Sequence, residues 1–294
     1  MTTRRDRDVL HRFVFEDTNV RGVLVHLDAS WQAVLERRTY PDPVRTLLGQ
    51  AMAAVVLLST TVKYQGSVTL QLRGRGPVTL LVVQVRPGRH VRGIAHWRDP
   101  VHTGTLAEVV GEAQLAITID PGEGMDRYQG IVETGAARTL AQALEGYFER
   151  SEQLPTRLWL AADGVRAAGM LLQQLPGAGR DADAWNRLEH LGATLTPGEL
   201  LQLTDRELLH RLFHEERVRL FEADPVSFRC DCSRERTDAL LRGLGIDEVR
   251  TLLAEQGRVH VECEFCGHAY DYDAVDVEQL FAAEGQPDVP RTRH

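Results

Sequence analysis

Short apolar runs alternate with turn residues along the first 120 positions of the chain. Four runs rich in valine, leucine and isoleucine have the composition of β-strands: residues 23–27, 68–72, 79–85 and 116–119. Glycine and proline at 74–77 and 87–89 indicate hairpin turns between strands. Helical spacing of apolar residues over 30–37 and 43–60 predicts two helices in the same region. The region is therefore predicted to fold as an α+β domain of mixed sheets and helices.

The apolar pattern breaks between residues 176 and 183. Before the break, 135–152 is typical of an amphipathic helix and 157–162 of a strand. Within it, small and polar residues replace the apolar positions, which is typical of a domain boundary. We assign three regions on this basis: a large N-terminal domain over 1–178, a helical connector over 179–228 and a small C-terminal domain over 229–294.

The connector is predicted to contain several short helices. Thr196 with Glu199, and Thr204 with Glu207, each fit a capping box, in which the two side chains satisfy free backbone amides at a helix start. The second box precedes an apolar helix face: Leu208, Leu209, Leu212 and Phe213. Because such a face needs a partner surface, we expect the connector to pack on another part of the protein.

The C-terminal domain carries shorter patterns. Helices are predicted over 238–242, 247–255 and 276–283, a strand over 259–262, and a frayed end over 285–294. All four cysteines of the chain lie here, as Cys-x-Cys and Cys-x-x-Cys pairs: Cys230, Cys232, Cys263 and Cys266. In a chain without an evident export signal, clustered thiols indicate metal ligands or redox groups before structural disulfides.

Composition and charge exclude several classes of protein. The 294 residues are 43% hydrophobic and 26% charged, as in ordinary globular proteins. No apolar run approaches the length of a membrane-spanning helix, so we expect a cytoplasmic protein. The net charge is -8, from 34 basic and 42 acidic residues. Residues 225–294 alone hold 8 arginines against 14 acids, which disfavours nucleic-acid binding by this domain.

The cysteine spacing predicts one structural zinc ion bound by four thiolates. Gly267 follows the second pair and can adopt the backbone angles of a zinc knuckle. The first pair has a single residue between its cysteines, fewer than usual, and a disulfide across so short a span would be strained and labile. Spacing alone leaves three roles open for the site: an inert structural zinc site, a redox sensor and a catalyst of disulfide exchange.

Neighbouring residues refine this picture. Arg229, Arg234 and Arg236 would favour the thiolate form of the cysteines. His260 and His268 flank the second pair, but four thiolates already complete a zinc shell, so we interpret both histidines as surface residues. A domain this small depends on its metal for stability, and oxidation of the ligands is therefore expected to unfold it. No catalytic motif accompanies the cysteines, and we predict no enzyme activity and no cofactor other than zinc.

The stretch FRCDCSRER at residues 228–236 resembles the signature of the bacterial redox-regulated 33 kDa heat-shock chaperones, also called 33 kDa chaperonins. The resemblance extends over most of the chain in the same order, through YFERSEQLPT at 147–156, GMLLQ at 169–173, LFHEE at 212–216, VRLFE at 218–222 and VECEFCG at 261–267. All four cysteine positions of the family motif are present.

The resemblance implies a holdase that requires no ATP. It implies an inactive form with zinc on Cys230, Cys232, Cys263 and Cys266, and an active form with disulfides Cys230–Cys232 and Cys263–Cys266. It also implies that activation unfolds the zinc domain and connector, that the active form is a homodimer, and that unfolded client proteins pass on to ATP-dependent chaperones.

Two alternatives make different predictions. A zinc-ribbon module that binds nucleic acid or a fixed protein partner would be active when reduced and zinc-loaded. A thiol oxidoreductase would turn over a dithiol substrate and would have a reactive cysteine pair outside any four-thiolate site.

Overall fold

The computed structural model describes residues 7–61, 66–122, 124–135, 137–177, 179 and 181–282. The chain divides into two compact units, Met1–Arg229 and Cys230–His294. The predicted frayed end at 285–294 and the last residue of the predicted helix 276–283 lie outside the described residues. In the described part of the chain, no helix is long and apolar enough to cross a membrane.

The strands, in chain order, are β1 (Val9–Phe15), β2 (Val20–Leu27), β3 (Ser67–Gly74), β4 (Val78–Arg86), β5 (His90–Trp97), β6 (Ala113–Asp120), β7 (Tyr128–Glu133), β8 (Thr156–Ala162), β9 (Ala167–Gln174), β10 (Val218–Leu220), β11 (Asp224–Pro225), β12 (Ser227–Phe228), β13 (Val259–Glu262) and β14 (Ala269–Tyr272). The helices are α1 (Ala29–Leu35), α2 (Asp42–Leu58), α3 (Leu106–Val110), α4 (Leu140–Tyr147), α5 (Ala184–Gly192), α6 (Pro197–Gln202), α7 (Asp205–Phe213), α8 (Arg234–Leu244), α9 (Ile246–Gln256) and α10 (Ala274–Ala282).

Two sheets and a central helix form the main core of the first unit. The first sheet has the antiparallel order β10-β1-β2-β9-β8, with β11 also paired to β1. The second has the order β12-β5-β4-β3-β6-β7, antiparallel except for β12 beside β5. Helix α2 contacts strands of both sheets, and its run from Ala51 to Leu58 is buried on all sides. A helix that is apolar all round requires such a buried position.

The connector helices cover the opposite face of the first sheet. Val23 and Val25 of β2 face the core around α2, whereas Leu24 belongs to a second cluster with α5, α6 and α7. Alternation of side chains along a strand explains how one sheet supports both layers. The connector residues in this second cluster are Leu188, Leu195, Leu200, Leu208, Leu209, Leu212 and Phe213.

The last segment of the connector region, residues 224–228, pairs with both sheets in turn. Its first part, β11, pairs with β1, and two residues later β12 pairs in parallel with β5. Val226 between them is buried in the main core, and the backbone N–H of Arg229 donates to the carbonyl of Val91 at 3.3 Å. The first unit therefore keeps its chain ordered up to the residue before Cys230.

The structure confirms the predicted α+β class and both capping boxes. Thr196 accepts from the backbone N–H of Glu199, and Thr204 from that of Glu207, at the starts of α6 and α7. The helix predicted over 135–152 is shorter: α4 begins after Thr139 and continues into a π-helical turn. Helix α3 was not predicted, although Thr105 and Glu108 form a third capping box.

Candidate metal centre

Cys230 and Cys232 lie on an irregular segment directly before α8. Ser233 ends this segment as the N-cap of the helix, since its side chain accepts from the backbone N–H of Arg236 at 3.4 Å. Its carbonyl also accepts from the hydroxyl of Thr237 at 3.1 Å. The capped start of α8 anchors the chain at Ser233, and this fixes the position of Cys230 and Cys232 just before the helix.

Cys263 and Cys266 lie in the turn that joins β13 to β14. The carbonyl of Cys263 accepts from the backbone N–H of Cys266 at 3.2 Å and of Gly267 at 2.7 Å. The N–H of Cys263 donates to the carbonyl of His268 at 2.9 Å. Gly267 has φ of 70°, a left-handed conformation that favours glycine. This is the knuckle that the sequence predicts.

The two pairs meet in one cluster of sulfur atoms. Cys230 Sγ lies 3.6 Å from Cys263 Sγ, and Cys232 Sγ lies 3.3 Å from Cys266 Sγ. All four Sγ atoms lie within 4.8 Å of one another. Tetrahedral zinc with Zn–S bonds of about 2.3 Å places its sulfurs about 3.8 Å apart. The four side chains therefore fit a tetrahedral metal ion of this size, and all four are half-buried.

The surroundings of the cysteines disfavour four thiolates without a nearby cation. Burial raises the pKa of Cys263 and of Cys266, and the contact with Cys230 raises both further. Two of the three arginines expected to favour thiolates have carboxylate partners instead: Arg234 lies 3.0 Å from Asp276, and Arg236 lies 2.8 Å from Asp231. Since these carboxylates offset the positive charge, the arginines alone do not explain a fourfold thiolate site. A divalent cation among the sulfur atoms would explain such a site.

The flanking side chains do not join the cluster. Among the described residues, the group with metal-binding geometry contains the four cysteines and neither His260 nor His268. His260 Nδ1 lies 2.8 Å from Asp271 Oδ1, and the ring of His268 packs edge-on against Tyr270 at 4.7 Å between centroids. The hydroxyl of Tyr270 contacts Cys232, and this sulfur raises the pKa of Tyr270 to about 12. Sequence analysis did not identify Tyr270 as a neighbour of the site, since the contact crosses between two segments.

Few apolar residues support the C-terminal unit. Among the described residues of this unit, six buried apolar side chains form its core: Leu241, Val249, Val259, Tyr272, Val277 and Leu280. Tyr272 links β14 to α8, because its hydroxyl donates to Asp238 Oδ1 at 2.7 Å while Arg234 covers its ring at 4.3 Å. So small a core is seldom sufficient for an independent fold, and a metal at the four sulfurs would supply the missing stability.

The sequence model of the Hsp33 protein family matches residues 8–273 of the chain, a stretch that includes both sheets and all four cysteines. The chain belongs to the Hsp33 family. The 33 kDa chaperonin of Nitrosococcus oceani is 50% identical over 289 residues, which cover 98% of this chain and 99% of that protein. The 33 kDa chaperonin of Ectopseudomonas mendocina is 47% identical over 296 residues, with 98% and 99% coverage.

A solved structure shares the Hsp33 fold seen here. The crystal structure of the 33 kDa chaperonin from Thermotoga maritima superposes with a TM-score of 0.81 and covers 94% of this chain and 99% of its own. Its sequence identity is 21%, so this likeness concerns the fold. Membership of the Hsp33 family identifies the chain as a chaperone whose four clustered cysteines could hold a metal ion.

Proposed function

We propose that this chain is a redox-regulated holdase that needs no ATP. In the reduced state, one zinc ion on Cys230, Cys232, Cys263 and Cys266 keeps it inactive, and oxidation to two disulfides releases the zinc. The active form then binds unfolding proteins and prevents their aggregation. One observation carries the proposal: in this chain of a chaperone family, the Sγ atoms of the four cysteines lie within 4.8 Å of one another.

The proposed redox step is simple thiol chemistry. Bound zinc would hold the cysteines as thiolates, the form that reacts with peroxide or hypochlorite. Two thiolates form one S–S bond by giving up two electrons, and these electrons, with two protons taken from the solvent, reduce one peroxide molecule to two water molecules. Two peroxide molecules are thus consumed for two disulfides. No step changes the client protein covalently, so the proposed activity is binding and not catalysis.

The sulfur contacts support a change of structure on oxidation. In the folded unit two short sulfur contacts cross between segments, Cys230 with Cys263 at 3.6 Å and Cys232 with Cys266 at 3.3 Å. The proposed disulfides instead join neighbours within each pair. An S–S bond of about 2.05 Å and its dihedral restraints also demand local rearrangement. Oxidation is therefore expected to open the knuckle.

We expect peptide mapping of the oxidised protein to find Cys230–Cys232 and Cys263–Cys266 bridges. The physical reason is that opening separates the two segments, whereas each short pair stays together by covalent connection. The measurement is mass spectrometry after proteolysis at acidic pH, which prevents exchange. A dominant Cys230–Cys263 bridge would show instead that oxidation traps the folded arrangement.

Loss of the zinc site would expose apolar surface. We propose that the C-terminal unit unfolds first and that the connector over 179–228 then separates from the first sheet, baring residues such as Phe13, Leu24 and Met170. The partners are unfolded client proteins, a second copy of the active chain as a homodimer, and ATP-dependent chaperones that receive the clients. The proposed compartment is the cytoplasm, where reduced thiols can hold zinc.

The direct test is light scattering from a chemically unfolded client diluted into buffer without ATP. We expect the peroxide-treated protein to suppress scattering and the reduced, zinc-loaded protein to leave it unchanged, with zinc release recorded in parallel. His260→Gln is the matched control, since His260 is near the site but outside the sulfur cluster. Cys232→Ser should lose the switch. Equal suppression in both redox states would contradict the proposal, and client binding by the reduced form alone would favour a zinc-ribbon module.

A further inference from the structure

A buried ionic cluster joins the connector to the first sheet. Asp205, in the first turn of α7, is 0% exposed. Its Oδ2 lies 2.5 Å from Nδ1 of His11 on β1, and its Oδ1 lies 2.8 Å from Nδ1 of His26 on β2. His11 and His26 are 9% and 6% exposed. A buried carboxylate is costly unless charged or hydrogen-bonding partners compensate it.

The contacts of His26 define its protonation state. Nε2 lies 2.8 Å from the carbonyl oxygen of Leu200, and a carbonyl can only accept a hydrogen bond, so Nε2 carries a proton. Nδ1 faces the carboxylate of Asp205 at ion-pair distance, 2.8 Å from Oδ1. A neutral ring would turn a lone pair toward that carboxylate. His26 is therefore doubly protonated while the connector is docked. His11, in contrast, can donate through Nδ1 whether its ring is neutral or charged.

The other charged groups beside His26 have partners of their own. Arg7, Asp28 and Arg166 line a small cleft next to it. Arg7 and Arg166 lie 3.2 and 3.7 Å from Asp28, and Arg166 donates to the carbonyl of Leu201 at 3.1 Å. On the connector itself, Arg211 pairs with Glu199, and both side chains are partly exposed.

We infer that the Asp205–His26 pair is a proton-dependent latch: α6 and α7 dock on the first sheet with a proton on His26, and its loss releases them. The latch controls the surface to which the proposed function assigns client binding. It depends on the proposed function for one consequence only, that release of α6 and α7 exposes a client-binding face. The docking itself is defined by the contacts of Asp205, His26 and Leu200.

The sign of the pH dependence follows from proton linkage. An undocked histidine in water has a pKa of about 6.5, so above this pH docking must take up a proton and weakens by up to tenfold per pH unit. On the acid side, burial alone would raise the pKa of Asp205, but hydrogen bonds from His11 and His26 lower it to about 2. The carboxylate contribution is therefore present above its ordinary pKa of about 4 and is lost as the pH falls toward 2. Docking is strongest between these limits.

Hydrogen exchange of the reduced, zinc-loaded protein tests the latch. Protection factors already correct for the pH dependence of intrinsic exchange rates. We expect those of the α7 amides to fall at least tenfold between pH 6 and pH 9. Amides of α2, in the main core, should keep their protection over the same range. Reductant and a zinc assay at each pH confirm that the metal site stays intact. A flat profile for α7 would overturn the inference.

Two variants separate the latch from a merely structural role. Asp205→Asn removes the charge that requires a proton on His26, and His26→Gln keeps a donor for Leu200 but does not titrate. Both should show lower α7 protection at pH 6 and no further fall toward pH 9. Glu215→Gln removes an equal charge from an exposed position after α7 and should behave as the parent protein. If both variants keep the parental pH slope, the latch is wrong. If the pH slope disappears in both variants, but neither the parent protein nor the variants suppress client aggregation after peroxide treatment, the latch stands and the proposed holdase function fails.

Discussion

Removal of zinc from the reduced protein should unfold the C-terminal unit while α2 and the two sheets stay folded. The six-residue core of this unit cannot offset the conformational entropy of a chain this long, whereas a structural zinc site contributes about 10 kcal/mol or more. The N-terminal unit has its own large core and no described cysteine. We expect α8 and α9 amides to lose their protection after treatment with a strong chelator, as measured by hydrogen exchange alongside elemental analysis of zinc.

Cys266→Ser should give the same result without a chelator, because it removes one ligand of the cluster. His260→Gln is the control, since this side chain pairs with Asp271 and should be dispensable for zinc binding. Full protection of α8 and α9 in zinc-free protein would contradict the expectation. That outcome would mean that the unit is stable without metal and that oxidation cannot unfold it by zinc loss alone.

Phe213→Ala should free the connector from the first sheet. The Phe213 ring is 1% exposed and packs edge-on against Phe15 at 5.0 Å, which in turn packs against Phe13 at 5.6 Å. Truncation of a buried phenylalanine costs about 3–5 kcal/mol. We expect the opening free energy of α7, measured by native-state hydrogen exchange, to fall by about this amount, and the reduced protein to gain apolar dye binding.

Phe221→Ala provides the matched control for this substitution. Phe221 follows in the same region but is 43% exposed, with the guanidinium of Arg219 5.5 Å from its ring centroid. Loss of an exposed ring should change stability by about 0.5 kcal/mol or less. Equal effects of the two substitutions would show that the aromatic contact with Phe15 does not hold the connector.

Local patterns explain which parts of this molecule were predictable. The cysteine pairs and Gly267 reveal the knuckle because a zinc turn is encoded within a few residues. Capping boxes are equally local, and the structure confirms those of Thr196 and Thr204. The alternation in β3 is also visible in sequence, because one face of this strand is buried.

Features that depend on distant partners could not be read from sequence. Asp205 resembles any acidic residue in a first helical turn, and its contact with His11 spans 194 positions. Strand β12 has two residues, and only the neighbouring β5 makes it a strand. The arginines near the cysteines looked free in sequence, whereas carboxylates of Asp231 and Asp276 pair with two of them in the fold.

The pairing of β10, β11 and β12 has a consequence for aggregation. These three short strands cover the outer edge of β1 and the outer edge of β5. A fragment that ended at residue 178 would leave both edges with unpaired backbone N–H and C=O groups, which template the addition of strands from other molecules. While the connector is docked, residues 218–228 therefore cover two sheet edges that would otherwise accept strands from other molecules.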